Sequence, residues 1–119
     1  MNWGTIPEFD KDFKKLFKKF DSLDSDLEGL KKYLKMFHAN NLRAHDPVKI
    51  PTACGETYIS YKVRKIACKS LKGRGNQSGL RVIYVYEPEK NKITLIEIYF
   101  KSNNENEDKA RLKEFISNI

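Results

Sequence analysis

The second half of this 119-residue chain contains six side chains that can bind phosphate or move protons. Arginine binds a phosphate through paired hydrogen bonds and lysine adds positive charge, whereas glutamate, tyrosine and lysine can exchange protons. The six are Lys62, Arg64, Arg81, Glu97, Tyr99 and Lys101. Because alternate residues of a strand point to one side, the spacing predicts one open sheet face that carries all six, provided that the register aligns the strands.

This set meets the requirements of RNA cleavage without a metal ion. In that reaction a ribose 2′-hydroxyl attacks the adjacent phosphate, so cations must stabilise the phosphorane, one group must take the hydroxyl proton and another must protonate the leaving 5′-oxygen. Tyr99 can stack a base or give a proton, and Glu97 or a lysine can act as the base. An ion pair of Glu97 with Arg81 that only braces the sheet is an equally open alternative.

The positive charge of the chain is concentrated in one segment. Residues 57–86 contain no Asp or Glu and seven of the 23 basic residues, against 16 acidic residues in the whole chain, so this segment accounts for the net charge of +7. Such a segment, interleaved with tyrosines, attracts a polyanion such as nucleic acid, although a lysine-rich solvated edge strand is the alternative. The candidate RNA-binding residues in it are Lys65, Lys69, Lys72, Arg74, Tyr84 and Tyr86.

Composition argues against several other classes. Cys54 and Cys68 are too few for a disulfide framework, which favours a reducing, cytoplasmic location. His38 and His45 have no partners at metal-ligand spacing, so we expect no metal site and no cofactor. The chain has no run of about 18 apolar residues and no apolar leader, so we expect neither a membrane partner nor a secretory signal.

Periodicity predicts a single α+β domain with the element order β-α-α-β-β-β-α. Two amphipathic helices form a hairpin, a long connection follows, and the period then changes from helical to alternating. We expect an antiparallel three-stranded meander that the helical hairpin covers on one face, with the first strand at an edge. The predicted elements are a strand at Thr5–Phe9, a helix capped by Asp10, a helix with a capping box at Ser25 and Glu28, a connection over Ala39–Glu56, strands at Tyr58–Ser70, Leu80–Tyr86 and Lys92–Lys101, and a helix at Asn104–Ile116.

Alternation within the strands divides the sheet into a core side and an open side. In the second strand of the meander, Arg81 shares the open side with Ile83 and Val85, whereas the neighbouring residues form the core. In the third strand the same pattern places Leu95 on the open side with Glu97, Tyr99 and Lys101, and places Ile96 in the core with Ile98 and Phe100.

Three runs of sequence resemble the RelE/ParE superfamily of toxins, most closely its HigB-like branch. They are Tyr61-Lys-Val-Arg-Lys-Ile66, the glycine-rich run from Gly73 that ends in Gly79-Leu-Arg-Val-Ile-Tyr84, and Leu95-Ile-Glu-Ile-Tyr-Phe-Lys101. The resemblance implies a RelE-like fold over residues 1–119, with residues 39–56 as an insertion. It also implies a small ribosome-dependent mRNA endoribonuclease that forms a 2′,3′-cyclic phosphate, inhibits translation and is neutralised by a cognate antitoxin.

The resemblance also implies roles for individual residues of this chain. Arg81 matches the strand arginine that holds the scissile phosphate, Lys101 matches the basic residue that ends the last strand, and Lys62 with Arg64 matches the basic pair of the preceding strand. The catalytic carboxy-terminal tyrosine of some members has no counterpart, since residues 104–119 contain no tyrosine. Two alternatives remain open: a ParE-type inhibitor that binds DNA gyrase, and a non-catalytic RNA-binding module of the same fold.

Overall fold

The computed structural model describes residues 1–42, 44 and 46–119, and within them it shows an α+β fold of three α-helices and one mixed five-stranded sheet. Two short 3-10 turns, at Gly75–Gln77 and Pro88–Lys90, connect strands. None of the described helices is both long and apolar enough to cross a membrane. In chain order the elements are β1 (Asn2–Thr5), α1 (Pro7–Phe17), α2 (Leu23–Ala39), β2 (Val48–Cys54), β3 (Ile59–Val63), β4 (Leu80–Glu87), β5 (Lys92–Phe100) and α3 (Lys109–Ser117).

The sheet has the strand order β1-β5-β4-β3-β2. Strands β3, β4 and β5 form the predicted antiparallel meander. β1 joins an edge of it, as predicted, and the pairing, with β5, is parallel. The connection predicted over Ala39–Glu56 is wrong in part, because β2 lies within it and pairs with β3. Pro51 obscured this strand in the sequence; β2 is an edge strand, where a residue without an N–H donor is tolerated.

The amino-terminal elements begin earlier than predicted. The strand expected at Thr5–Phe9 is misplaced: β1 lies at Asn2–Thr5, and Pro7 starts α1 three residues before the predicted cap, Asp10. A proline at the first helical position has its fixed φ already suited to the helix and lacks an N–H that would have no partner there. In α2 the cap position is Ser22, and Ser25 lies inside the first turn, where its Oγ donates to the Ser22 carbonyl at 2.9 Å.

The strand predicted over Tyr58–Ser70 ends much sooner, at Val63. The Asp46 carboxylate accepts the backbone N–H groups of Arg64 and Lys65, both at 2.9 Å. These bonds replace the ladder bonds that a longer strand would make, so the chain leaves the sheet directly after β3.

The two sides of the sheet are both covered. The first face packs against α1 and α2 and forms the larger core; its buried residues include Phe9, Leu23, Leu34, Val63, Leu80, Val82, Tyr84, Ile98 and Phe100. The second face, which carries Arg81, Ile83 and Val85, packs against α3 through the buried side chain of Leu112. The prediction of an open second face is therefore wrong.

A bulge in β5 also exchanges two predicted positions. The β4–β5 register shifts between Ile83, which pairs with Glu97, and Tyr84, which pairs with Leu95. The extra residue, Ile96, consequently joins the core of the second face, and Leu95 joins that of the first face. Strict alternation cannot reveal such a residue, because a bulge changes the side-chain period locally.

Candidate functional site

Strand register brings the predicted site residues into consecutive rows of the second face. Ile83 pairs with Lys62 on one side and with Glu97 on the other, and Arg81 pairs with Tyr99 in the next row. The N–H of Lys101 donates to the Gly79 carbonyl at 2.9 Å, which extends the same pairing beyond the strand. Arg64 follows β3 directly. Strand pairing thus brings the sequence-predicted set together, but a cover that alternation did not predict buries two of its members, Glu97 and Tyr99.

That cover is the chain that follows β5. The N–H groups of Asn103 and Asn104 both donate to the Phe100 carbonyl, which turns the chain back over the second face. The Asp108 side chain then caps α3 by accepting the N–H of Arg111 at 3.0 Å, so the helix starts five residues later than the predicted Asn104. Residues 105–108 and α3 consequently lie over the rows that the sequence predicted to be open.

Glu97 is a clear example of this burial. Its side chain is buried, and Oε1 accepts the backbone N–H of Asp108 at 2.7 Å. Burial raises the pKa of Glu97 above its ordinary value, while the Asp108 N–H and the charge of Arg111 act in the opposite direction. No ion pair with Arg81 forms in the described part of the chain. Glu97 therefore stabilises the start of α3 through this hydrogen bond and does not link the strands through an ion pair with Arg81.

Tyr99 is the second predicted site residue that the cover buries. Its exposed fraction is 4%, and its hydroxyl has no hydrogen-bond partner among the described residues. Burial and the carboxylates of Glu107 and Glu97 raise the pKa of Tyr99 to about 12, although Arg81 opposes the rise. The phenol therefore keeps its proton near neutral pH and can act as a donor. An unpaired buried hydroxyl is destabilising, by about 1–3 kcal/mol, and calls for an explanation.

Arg81, Arg64 and Lys101 stay at the edge of the cover. Arg81 is half-buried. Its guanidinium donates to the Arg64 carbonyl at 2.8 Å and to the Leu80 carbonyl at 3.3 Å. The side chains of Arg64 and Lys101 are exposed. Because none of these three cations has a carboxylate within 4.0 Å in the described residues, they can accept a phosphate without first breaking an ion pair.

Lys62 has a different environment. It forms an ion pair with Glu107 beneath the cover. Burial acts to raise the pKa of Glu107, but the hydrogen bond and charge of Lys62 outweigh it, and the pKa lies below its ordinary value. Lys62 therefore holds the carboxy-terminal segment on the sheet in this structure.

Glu107 and Arg111 are site residues that sequence reasoning missed. Arg111 donates to the Asp12 carboxylate at 2.6 Å and to the Ile96 carbonyl at 3.1 Å, which ties α3 to both α1 and β5. The available signal was the capping pattern Asp108-x-x-Arg111 preceded by an acidic residue. It predicts where a helix starts but not which face the helix covers.

The candidate RNA-binding residues divide into two groups. The side chains of Lys65, Lys69, Lys72 and Arg74 are exposed on the segment between β3 and β4. Tyr84, in contrast, is fully buried, and its hydroxyl lies 2.9 Å from Nε2 of His38. Tyr86 is half-buried and stacks on the His38 ring at 3.9 Å. The prediction that Tyr84 contacts RNA is wrong, because the residue faces α2 in the larger core; Tyr86 faces the same core.

Side-chain caps hold the basic segment in place. Besides the Asp46 bonds to Arg64 and Lys65, the Asp26 carboxylate accepts the N–H of Lys69 at 3.2 Å. The Ser22 hydroxyl accepts the N–H of Ser70 at 2.8 Å. The lysine and arginine side chains are therefore presented from a fixed backbone, which lowers the entropy lost when they bind a partner.

Within the described residues, no group of three or more His, Cys, Asp or Glu side chains could hold a metal ion. His45 lies outside the described residues. No family model matches the chain, and no curated protein or solved structure matches it either.

Proposed function

We propose that this chain is the toxin of a type II toxin–antitoxin pair, with a RelE-like fold, and that it cleaves ribosome-bound mRNA as a metal-independent endoribonuclease. The observation that carries the proposal is the pairing of Arg81 with Tyr99 in adjacent strands, with Lys101 in the following row. A cation for the phosphate thus lies beside a buried phenol whose hydroxyl has no hydrogen-bond partner in the described part of the chain.

The chemistry follows from these groups. The ribose 2′-hydroxyl gives its proton to a base, for which Glu97 or a lysine is the candidate, and the 2′-oxygen attacks phosphorus. The bond from phosphorus to the 5′-oxygen breaks, and the products are a 2′,3′-cyclic phosphate and a 5′-hydroxyl. Arg81 and Lys101 stabilise the charge that develops on the phosphorane oxygens. Tyr99, whose phenol is protonated at neutral pH, gives its proton to the leaving 5′-oxygen, which is a stronger base than a phenolate even when the pKa of Tyr99 is about 12.

The exposed cations of residues 64–74 supply the affinity for RNA. Lys65, Lys69, Lys72 and Arg74 present charge that attracts the phosphates of mRNA and of the ribosome, independently of base sequence. The same charge favours an acidic antitoxin as the neutralising partner. Both partners imply a cytoplasmic protein.

A second candidate is a non-catalytic RNA-binding module of the same fold. The observation in its favour is the cover over the second face, which buries Glu97 and Tyr99 and leaves the exposed cations on the neighbouring segment accessible. Such a protein would hold RNA through phosphate contacts without cutting it.

The test is expression of the chain alone, with growth and mRNA ends measured. We expect growth arrest with new 5′ ends in translated mRNA, and we expect the double substitution Arg81→Ala with Lys101→Ala to abolish both. The matched control is Lys32→Ala with Lys35→Ala, which removes the same charge from exposed positions of α2 and should leave cleavage unchanged.

Three other outcomes would contradict the proposal. Cleavage by the double variant would remove Arg81 and Lys101 from the site. RNA binding by the wild type with intact mRNA would support the non-catalytic module. Growth arrest with intact mRNA and a loss of DNA supercoiling would support the gyrase inhibitor.

A further inference from the structure

A cleft lies next to the candidate site, beside the end of β5. It has a volume of about 760 Å³ and lies between α1, the turn after β5 and the segment before β4. That volume is in the range of small-ligand sites. Tyr99 is one of the residues that line this cleft, so the cleft borders the candidate site.

Three cations line this cleft, and they come from two parts of the chain that are far apart in sequence. Lys15 lies on α1, Lys19 follows α1, and Arg74 lies in the segment before β4. All three are exposed, and in residues 1–42, 44 and 46–119 none of them has a carboxylate within 4.0 Å. Asp12, the carboxylate in the lining, is already paired with Arg111. Cations gathered without counter-charge create a potential that an anion relieves.

The floor of the cleft is aromatic. The rings of Phe20 and Phe100 lie 4.7 Å apart at an angle of 45°. Phe100 is buried, but Phe20 is half-buried and so leaves part of its ring accessible. A nucleobase is the flat, apolar group that commonly stacks on such a ring.

The rim supplies amides that could recognise the edge of a base. Asn103 and Asn104 line the cleft, and both residues are exposed. An amide offers a donor and an acceptor together, which suits the polar edge of a base. An acidic peptide would use the cations but would leave the aromatic floor and the amides without a role.

We propose that this cleft binds one nucleotide of a single-stranded RNA, with its phosphate on Lys15, Lys19 and Arg74 and its base on Phe20. The proposal deepens the proposed function, because it assigns the place of a nucleotide that flanks the cleavage site at Arg81 and Tyr99. It gives a binding role to Lys15 and Lys19, which lie outside the basic segment of residues 57–86.

The test measures binding and not cleavage. A fluorescent, 2′-O-methylated hexanucleotide cannot be cut, so its affinity for the full chain is independent of the catalytic step. We expect the triple substitution of Lys15, Lys19 and Arg74 by alanine to weaken binding at least tenfold. We also expect the dependence of log K on log salt to become shallower by about 1, since fewer phosphate charges are neutralised.

Two further variants test whether the loss of RNA binding is specific to the cleft. The control variant Lys11→Ala, Lys14→Ala and Lys18→Ala removes the same charge from exposed positions at or next to α1 that do not line the cleft, and should have a much smaller effect. Phe20→Leu keeps an apolar side chain in the core but removes the ring. It should weaken binding of the complete hexanucleotide about tenfold, and it should have little effect on an abasic version.

Several outcomes would overturn the proposal. Equal losses in the two triple variants would mean that only general charge attracts RNA, and unchanged binding in the cleft variant would exclude the cleft altogether. Equal affinity for the abasic and complete hexanucleotides would exclude the base position, and an acidic peptide that binds more tightly than RNA would point to a protein partner. If mRNA cleavage is absent while the cleft variant loses binding, the endoribonuclease fails and this site stands.

Discussion

The two faces of the sheet are covered in different ways. On the first face, α1 and α2 bury a continuous set of aliphatic and aromatic side chains, including Leu34 and Tyr84, which have no exposed surface. On the second face, the nine-residue helix α3 contributes one buried side chain, Leu112, and two partly buried ones, Phe115 and Ile116. Polar contacts add to this attachment, among them the ion pairs of Lys62 with Glu107 and of Arg111 with Asp12.

The difference indicates which cover belongs to the cooperative core. Apolar burial contributes about 25 cal/mol per Å² and depends little on salt, whereas partly exposed ion pairs contribute about 0–1 kcal/mol each and weaken as salt increases. Short elements with few buried apolar contacts open locally before the whole protein unfolds. The candidate site thus lies under the less stable of the two covers.

The largest expected effect compares equivalent leucines on the two faces. Leu34→Ala should lower the free energy of global unfolding by about 2–5 kcal/mol, because it leaves a cavity in the larger core. Leu112→Ala should act locally, with α3 amides exchanging hydrogen at least tenfold faster while β4 and β5 amides keep their protection. Urea unfolding and hydrogen exchange measure the two effects. Equal global losses would show that α3 belongs to the same cooperative unit.

As the pH falls from neutral, the stabilisation that depends on His38 on the first face should be lost before that which depends on Glu107 on the second face. Burial lowers the pKa of His38 from 6.5 to about 4. Between these values the unfolded chain binds a proton that the folded protein does not, so the free energy of unfolding falls as the pH decreases through this window. The contribution of Glu107, whose folded pKa lies below 4.5, is lost only at lower pH.

The test is urea unfolding of the wild type and of His38→Phe at pH 7 and pH 5. We expect the wild type to lose more stability than the variant over this interval, since the variant lacks the titrating group. Glu97, whose pKa is raised, acts with the opposite sign, because its folded form takes up a proton first as the pH falls. It is present in both proteins and cancels in the comparison. Equal losses would show that His38 is protonated in the folded state.

The smallest expected effect compares two buried tyrosines. Tyr84→Phe removes the hydroxyl beside His38 Nε2 and should destabilise the fold by about 1 kcal/mol. Tyr99→Phe removes a hydroxyl that has no partner in the described structure, and should leave stability unchanged or slightly raised. Under the proposed mechanism Tyr99→Phe should nevertheless reduce mRNA cleavage strongly. Urea unfolding and mapping of mRNA ends measure these effects; a destabilised Tyr99→Phe variant would reveal a hydrogen bond for this hydroxyl.

Local patterns in the sequence were sufficient for the meander and for much of the grouping of the candidate site. Alternation correctly placed Arg81 with Ile83 and Val85, and it placed Glu97 and Tyr99 on the same side. It failed for Leu95 and Ile96, because a bulge inserts a residue without leaving a mark in composition. It also failed for β2, since Pro51 interrupts the pattern of a strand that exists through its pairing with β3.

The sequence by itself determined the order of the elements apart from β2, the concentration of charge in residues 57–86 and the side of the sheet on which Arg81, Glu97 and Tyr99 lie. These depend on helical and strand periods and on residue type, which are local properties. Only the tertiary structure decided that residues 105–108 and α3 cover Glu97 and Tyr99, that Tyr84 is core, and that Lys15, Lys19 and Arg74 line one cleft. The reason is physical: which surfaces pack together depends on contacts between residues far apart in the chain, and no local period encodes them.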